Sequence, residues 1–330
     1  MKKIFALLLS AALLVTLLAA CGGGNTTDTD TDAQEPATDA STTQVEEQEP
    51  DTGDASKDDP LNQDEIGEKE LLVVSFGPSY NDSRRETIGA IEKAMQTAFP
   101  DYSVRRAFTS QIIIDHVKDR DGVTIDNVEQ ALERAVNNGV KTLVVQPTHL
   151  MNGLEYEELT DELAKYSDSF EKIAIGDPLL TSDADFEAVM TAITDATKDA
   201  ADGKTAICFM GHGTTADSNS VYSKMQTLLT DKGFNDYYVG TVEATPSLDD
   251  VLAAVQKGNY EKVVLRPLMI VAGDHANNDM AGDEDDSWKS TFEKAGYTVD
   301  CQVEGLGQLE AIQQLFVEHA KAAVASAEAE

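Results

Sequence analysis

The chain has 330 residues, with 25 basic against 60 acidic side chains and a net charge of −35 at neutral pH. An acidic balance of that size with no basic stripe excludes nucleic acid as a partner, because phosphate neutralisation needs clustered Lys and Arg. Three cysteines are too few for a disulfide framework and match no zinc spacing.

Lys2 and Lys3 precede an uninterrupted apolar run, residues 4–20, and small residues stand directly before Cys21. A positive start, an apolar stretch and a small-residue cleavage site make 1–20 an export leader; the run is at the short limit for a membrane span. "LLAAC" resembles the lipobox of bacterial lipoproteins. That resemblance implies lipidation of Cys21 and a mature protein anchored to the extracytoplasmic face of a membrane. Residues 22–68 hold 15 acids and one lysine, with no aromatic residue and almost no large aliphatic. Such a segment cannot bury enough apolar surface to offset its ordering entropy, so 21–68 is expected to be a disordered acidic tether. Fourteen of the net negative charges fall in that segment and two leader lysines offset two more, which leaves −23 for residues 69–330.

From Leu71 short apolar runs alternate with amphipathic helices. "LLVVSFG" (71–77) reads as a buried strand ending in a glycine turn, and 83–99 as a helix with Ile88, Ile91, Met95 and Phe99 on one face, stopped at Pro100. Residues 102–110 read as a second strand, 125–139 as a helix, and 141–147 and 171–179 as a third and fourth strand. The scheme then repeats: strand (204–213), helix (218–234), strand (236–244), helix (247–260), strand (261–273). "KTLVVQPTHLMNG" and "EKVVLRPLMIVAG" share an apolar strand, a proline at the same step and a closing glycine, and "VVSFGPS" and "CFMGHGT" head the two halves. Strand–helix alternation argues an α/β fold, each half a parallel sheet flanked by helices, with a cleft at the carboxyl ends of the strands. The halves are expected to span 69–199 and 200–330. Cys208 and Cys301 are expected to be buried thiols, or to pair in an oxidising exterior.

Three residues of the second half follow strands: His212 in "MGHGT", Glu243 in "TVEATPS" and His275 in "GDHANND". Imidazole and carboxylate suit a borderline divalent metal. On spacing alone the three fit a metal site or three unconnected polar loop residues equally well. A calcium loop at 279–290 lacks the alternating acidic spacing and the distal Glu. Arg84, Arg85, Arg105 and Arg106 could meet acidic groups of a substrate, or be plain surface charges. No P-loop, dinucleotide fingerprint or nucleophile elbow is present.

The stretches "VVSFGPSYNDSRRETIGAIEKAMQTAFPDYSVRRAFTSQIII", "VVQPTHLMNGLEY", "MGHGT" and "PLMIVAGDHANNDMAGDEDDSWKS" resemble the anaerobic cobalt chelatases, the sirohydrochlorin cobaltochelatases, through nearly all of 70–325. The resemblance implies a class II chelatase fold with an active-site cleft between two similar halves and no nucleotide. It implies Co2+ as the substrate metal, with Fe2+ or Ni2+ as other candidates, and a tetrapyrrole as the partner substrate. It makes His212 the proton acceptor and a metal ligand, with Glu243 and His275 completing the metal set. Ser75, Phe76, Gly77 and His149, at the corresponding edge of the first half, are candidate substrate contacts. A monomer or small homo-oligomer is expected. The export leader departs from the family, whose cobalt insertion is cytoplasmic. It leaves a second reading open, a surface-anchored lipoprotein that binds a tetrapyrrole, haem or metal on a chelatase fold.

Overall fold

The computed structural model describes residues 52–329. The leader, Cys21 and the first part of the expected tether lie outside the described residues. Eight strands form two four-stranded parallel sheets: β1 (Lys69–Ser75), β2 (Ser103–Phe108), β3 (Thr142–Pro147) and β4 (Lys172–Ile175), then β5 (Thr205–Gly211), β6 (Tyr237–Thr241), β7 (Lys262–Pro267) and β8 (Thr298–Cys301). The strand order is β2-β1-β3-β4 in one sheet and β6-β5-β7-β8 in the other, so the repeat seen in sequence is a repeat of topology. Register agrees: Val74 of β1 pairs with Pro147, and Met210 of β5 with Pro267. Each proline ends its strand, where its missing N–H costs no ladder bond. The middles of β1 (71–74) and β5 (206–210) are apolar, and both strands are buried nearly end to end, as strands covered on both faces must be.

The outer faces carry separate clusters, around Leu132, Leu143 and Val145 in the first half and Val263, Trp288 and Phe292 in the second. The inner faces share one core, which joins Leu71, Val144, Ile207 and Val264 with Ile312 and Phe316 of the last helix, Glu310–Ala329. That last helix packs on β3 and β4, and Lys172 Nζ donates to the Ala327 carbonyl at 2.8 Å. A division at 199/200 therefore separates the sheets but not the packing: the C-terminal helix completes the first half.

Two other details of the sequence reading need correction, the helix over 83–99 and the last strand. The helix expected over 83–99 is two, Asn81–Glu86 and Ile88–Ala98, broken at Thr87, whose hydroxyl donates to the Ser83 carbonyl. β8 carries no strand signal in the sequence, because "TVDC" is short and half polar. For Cys208 and Cys301 the free-thiol alternative is the one found. Both align with Leu265 of β7, one on each side, so they stand two strand spacings apart, roughly 9–10 Å, beyond the reach of a disulfide.

The largest correction concerns residues 52–68, which are built into the domain instead of trailing from it. β2 is an edge strand, and this segment covers it: Arg106 N–H donates to the Leu61 carbonyl at 3.1 Å and Gln63 Nε2 to the Val104 carbonyl at 3.3 Å. Leu61 is buried in the shared core. Asp58, 3 % exposed at its side chain, bridges Arg84 and Arg106 at 2.6 and 2.7 Å. Composition missed this because the segment binds by a few buried charges and backbone bonds, not by apolar area. Limited trypsin digestion should therefore leave the bonds after Lys57 and Lys69 intact, although these are the first tryptic sites after Lys3. A new N-terminus at Asp58 or Glu70, read by mass, would count against this packing.

Candidate metal centre

His212, Glu243 and His275 follow β5, β6 and β7, three adjacent strands of the second sheet, at their carboxyl ends. This is where an open parallel sheet whose strand order reverses leaves a crevice. One ligand atom from each of the three lies within 4.8 Å of the other two. His212 Nε2 stands 3.8 Å from Glu243 Oε2, and the two imidazole rings have centroids 4.6 Å apart, tilted by 53°. Side-chain exposure is 50 % for His212, 57 % for Glu243 and 34 % for His275, which leaves the cluster open on one side.

The glycines around His212 explain how it reaches this position. A Cβ on Gly211 would stand 2.1 Å from the Tyr222 ring, and one on Gly213, which takes φ +89°, would stand 2.9 Å from Thr241 Cβ and the Ala244 nitrogen. Only glycine allows both, the second by its left-handed backbone. The two loops are then tied: Glu243 N–H donates to the His212 carbonyl at 2.9 Å, and Tyr222 Oη accepts from Gly213 N–H at 3.3 Å. Asn219 accepts from Thr214 N–H and donates to the Thr245 carbonyl at 2.7 Å.

His275 stands at the start of a π-helical turn, Ala276–Met280, a geometry frequent at functional sites. The chain is held there by Asn277 Nδ2 on the Gly273 carbonyl at 2.8 Å, and by Ser83 Oγ of the first half, which accepts from Ala272 N–H at 3.0 Å. His275 Nδ1 lies 2.7 Å from Asp279 Oδ2. That carboxylate orients the ring and leaves Nε2 as the outward ligand atom, the usual arrangement behind a metal-binding histidine. Strand-end reasoning passes over Asp279, although its i+4 spacing from His275 in "HANND" carries the signal.

Burial lowers the His212 pKa, and the neighbouring His275 lowers it further; Glu243 and Asp279 oppose this. The net direction keeps the imidazole neutral and its lone pair available. The acidic helix start at 283–287 is separate: Ser287 caps Trp288–Lys294, and Trp288 is buried as a packing anchor.

The first-half candidates are placed differently. Ser75 is buried, with its Oγ 2.6 Å from Thr148 Oγ1. Gly77 takes φ +99° over the Phe108 ring. Phe76 is 48 % exposed, and with Ile112 and Leu154 it makes up three of the four exposed large apolar residues described. All three follow first-sheet strands at their carboxyl ends. His149 is buried, which holds its pKa down at about 4. Arg84, Arg105 and Arg106 are unavailable to a substrate, being fully buried in ion pairs with Asp58, Glu70, Glu92 and Asp126. Arg85 is committed to Asp82 and Glu86.

Residues 69–325 match the family described as cobalt chelatase (CbiK). The chain is 38% identical to a sirohydrochlorin cobaltochelatase of Salmonella typhimurium over 251 residues, covering 76% of this chain and 94% of that one. It is 30% identical to the sirohydrochlorin cobaltochelatase CbiKC of Nitratidesulfovibrio vulgaris over 260 residues, 78% of this chain and 91% of the relative. Among solved structures, SirB from Bacillus subtilis with Fe3+ superposes with a TM-score of 0.57 at 14% identity, covering 80% of this chain and 98% of that chain, a likeness of fold.

Proposed function

The chain belongs to the cobalt chelatase family, and from that premise we propose that it inserts Co2+ into sirohydrochlorin with release of two protons. The observation that carries this is the convergence of two imidazoles and a carboxylate, donor atoms within 4.8 Å, on an open sheet edge. Co2+ is substrate here. Two neutral nitrogens and one carboxylate bind a borderline cation and offset part of its charge, and the open side admits the macrocycle. As pyrrole nitrogens replace the protein ligands, His212 Nε2 is freed to take one pyrrole proton. The other passes to water at the half-exposed rim. Phe76, Ile112 and Leu154 give the opposite half an apolar surface suited to a tetrapyrrole face. Fe2+ and Ni2+ fit the same donor set, and nothing in the reaction calls for a nucleotide.

The test is Co2+ insertion by purified residues 52–330, followed by the visible spectrum of sirohydrochlorin. Tight tetrapyrrole binding without insertion would sink the proposal in favour of the anchored binding lipoprotein, the reading that the export leader favours. The pH profile is a second check. The base must be neutral, so the acid limb of kcat/KM should fall below pH ~6.5, the ordinary histidine value. Glu243 raises the His212 pKa, so Glu243→Gln should move that limb lower still while weakening Co2+ binding; an upward shift would contradict the assignment.

We also propose lipid anchorage at Cys21 to the extracytoplasmic membrane face. No helix among the described residues is long and apolar enough to cross a membrane. Cys21→Ala should release the protein from the membrane fraction, and unchanged association would point to another anchor.

A further inference from the structure

The repeat places an incomplete counterpart of the metal centre in the first half. Counting from the matched prolines, Glu155 stands eight residues after Pro147, as His275 does after Pro267. Each stands at the start of the helical segment that follows, with glycine at the same step, Gly153 and Gly273. Equivalent counting sets Phe76 where the second half has His212, and Ser110 where it has Glu243. The carboxylate at the His275 position is not alone. His149 Nε2 faces Glu155 Oε2 at 3.6 Å, its side chain 6 % exposed. Neither of its ring nitrogens has a hydrogen-bond partner.

We propose that His149 and Glu155 form a second, weaker binding site for a borderline divalent cation, its remaining positions filled by water. A buried imidazole without any partner is costly. A separation of 3.6 Å is too long for a hydrogen bond. It is close to the edge of a tetrahedral metal site, about 3.4 Å for N and O ligands each ~2.1 Å from the ion. Burial keeps the ring neutral and therefore a donor. Glu129, Glu158 and Glu162 line the same surface depression as Glu155 and draw cations towards it. The loop abuts the metal centre's own loop: a Cβ on Gly153 would lie 3.4 Å from Ser218 Oγ. Two protein ligands in place of three suit an ion that is held and released.

The site is separable from the chelatase reading, because the probe is Co2+ alone and the readout is binding. Residues 52–330 are titrated with Co2+ at moderate salt, following the Co2+ visible bands that change when imidazole replaces water. His212→Ala with His275→Ala should abolish the tighter phase and leave a weaker one that still shows nitrogen ligation. Adding Glu155→Gln, a half-exposed change that spares the fold, should remove that weaker phase, and His149→Leu should do the same. The proposal is overturned if the two-histidine variant shows no imidazole-bound Co2+, or if its weaker phase survives both further changes as association with surface acids only. Loss of insertion activity in the wild type would leave this result untouched.

Discussion

His212→Ala should reduce Co2+ insertion by at least about 10²–10⁴-fold, the range over which a positioned base contributes, while the thermal midpoint stays near that of the wild type. The side chain is half exposed, so little packing is lost, and its loop is held by backbone and neighbouring groups that the substitution does not touch: the Glu243 N–H bond, Tyr222 and Asn219. His275→Ala should behave differently. On the proposed roles it removes a ligand but leaves the base, so the defect should be partly recovered by raising Co2+. His212→Ala should not recover, because saturating metal supplies no acceptor for the pyrrole proton. Insertion at wild-type rate in His212→Ala, with the metal saturating, would falsify its role as base.

The convergence of the two histidines and the glutamate is legible in the sequence because each follows a strand in a chain whose halves repeat, and because long motifs resemble a known family. The repeat also put Pro147 and Pro267 at matching steps. What it hid was the difference between the halves. Counting from those prolines already sets Glu155 opposite His275, but only the folded chain shows that His149 Nε2 stands 3.6 Å from its carboxylate. His149 read as a pocket residue from its motif, yet it is buried, because the chain turns inward there and Leu179 N–H bonds its carbonyl. The arginines failed for a related reason. Periodicity places Arg105 and Arg106 on a strand but does not say that Glu70, Glu92, Asp58 and Asp126 arrive from four other segments to neutralise them. Buried ion networks are assembled by tertiary contact, and a local pattern has no access to them.

Asp58→Ala should therefore destabilise the protein by about 3–5 kcal/mol, the cost of removing one partner from a buried pair. For a domain of this size that lowers the thermal midpoint by roughly 10 °C. Asp58 accepts from Arg84 Nε and from two nitrogens of Arg106. Without it Arg84 retains only the Pro78 carbonyl and Asn81 as hydrogen-bond acceptors, and Arg106 only Glu92 as an ionic partner. A guanidinium buried with half its charge uncompensated is expensive in a way that no surface acid of the same segment can match. Acid should expose the same dependence. Burial works to raise the Asp58 carboxyl, but the two guanidiniums override it and leave its pKa below the ordinary value. A depressed carboxylate contributes its full stability above about pH 4, its unfolded value, and loses it as pH falls through the lower folded value. Asp58→Asn should thus flatten that part of the acid unfolding curve. A chain begun at residue 69, where composition alone would cut, loses Asp58, Leu61 and the cover on β2 together. It should unfold at a lower temperature than the chain begun at 52 by at least as much as Asp58→Ala, and should associate through the bared strand edge. Equal midpoints for the chains begun at 52 and 69 would show that residues 52–68 only rest on the domain and do not hold it together.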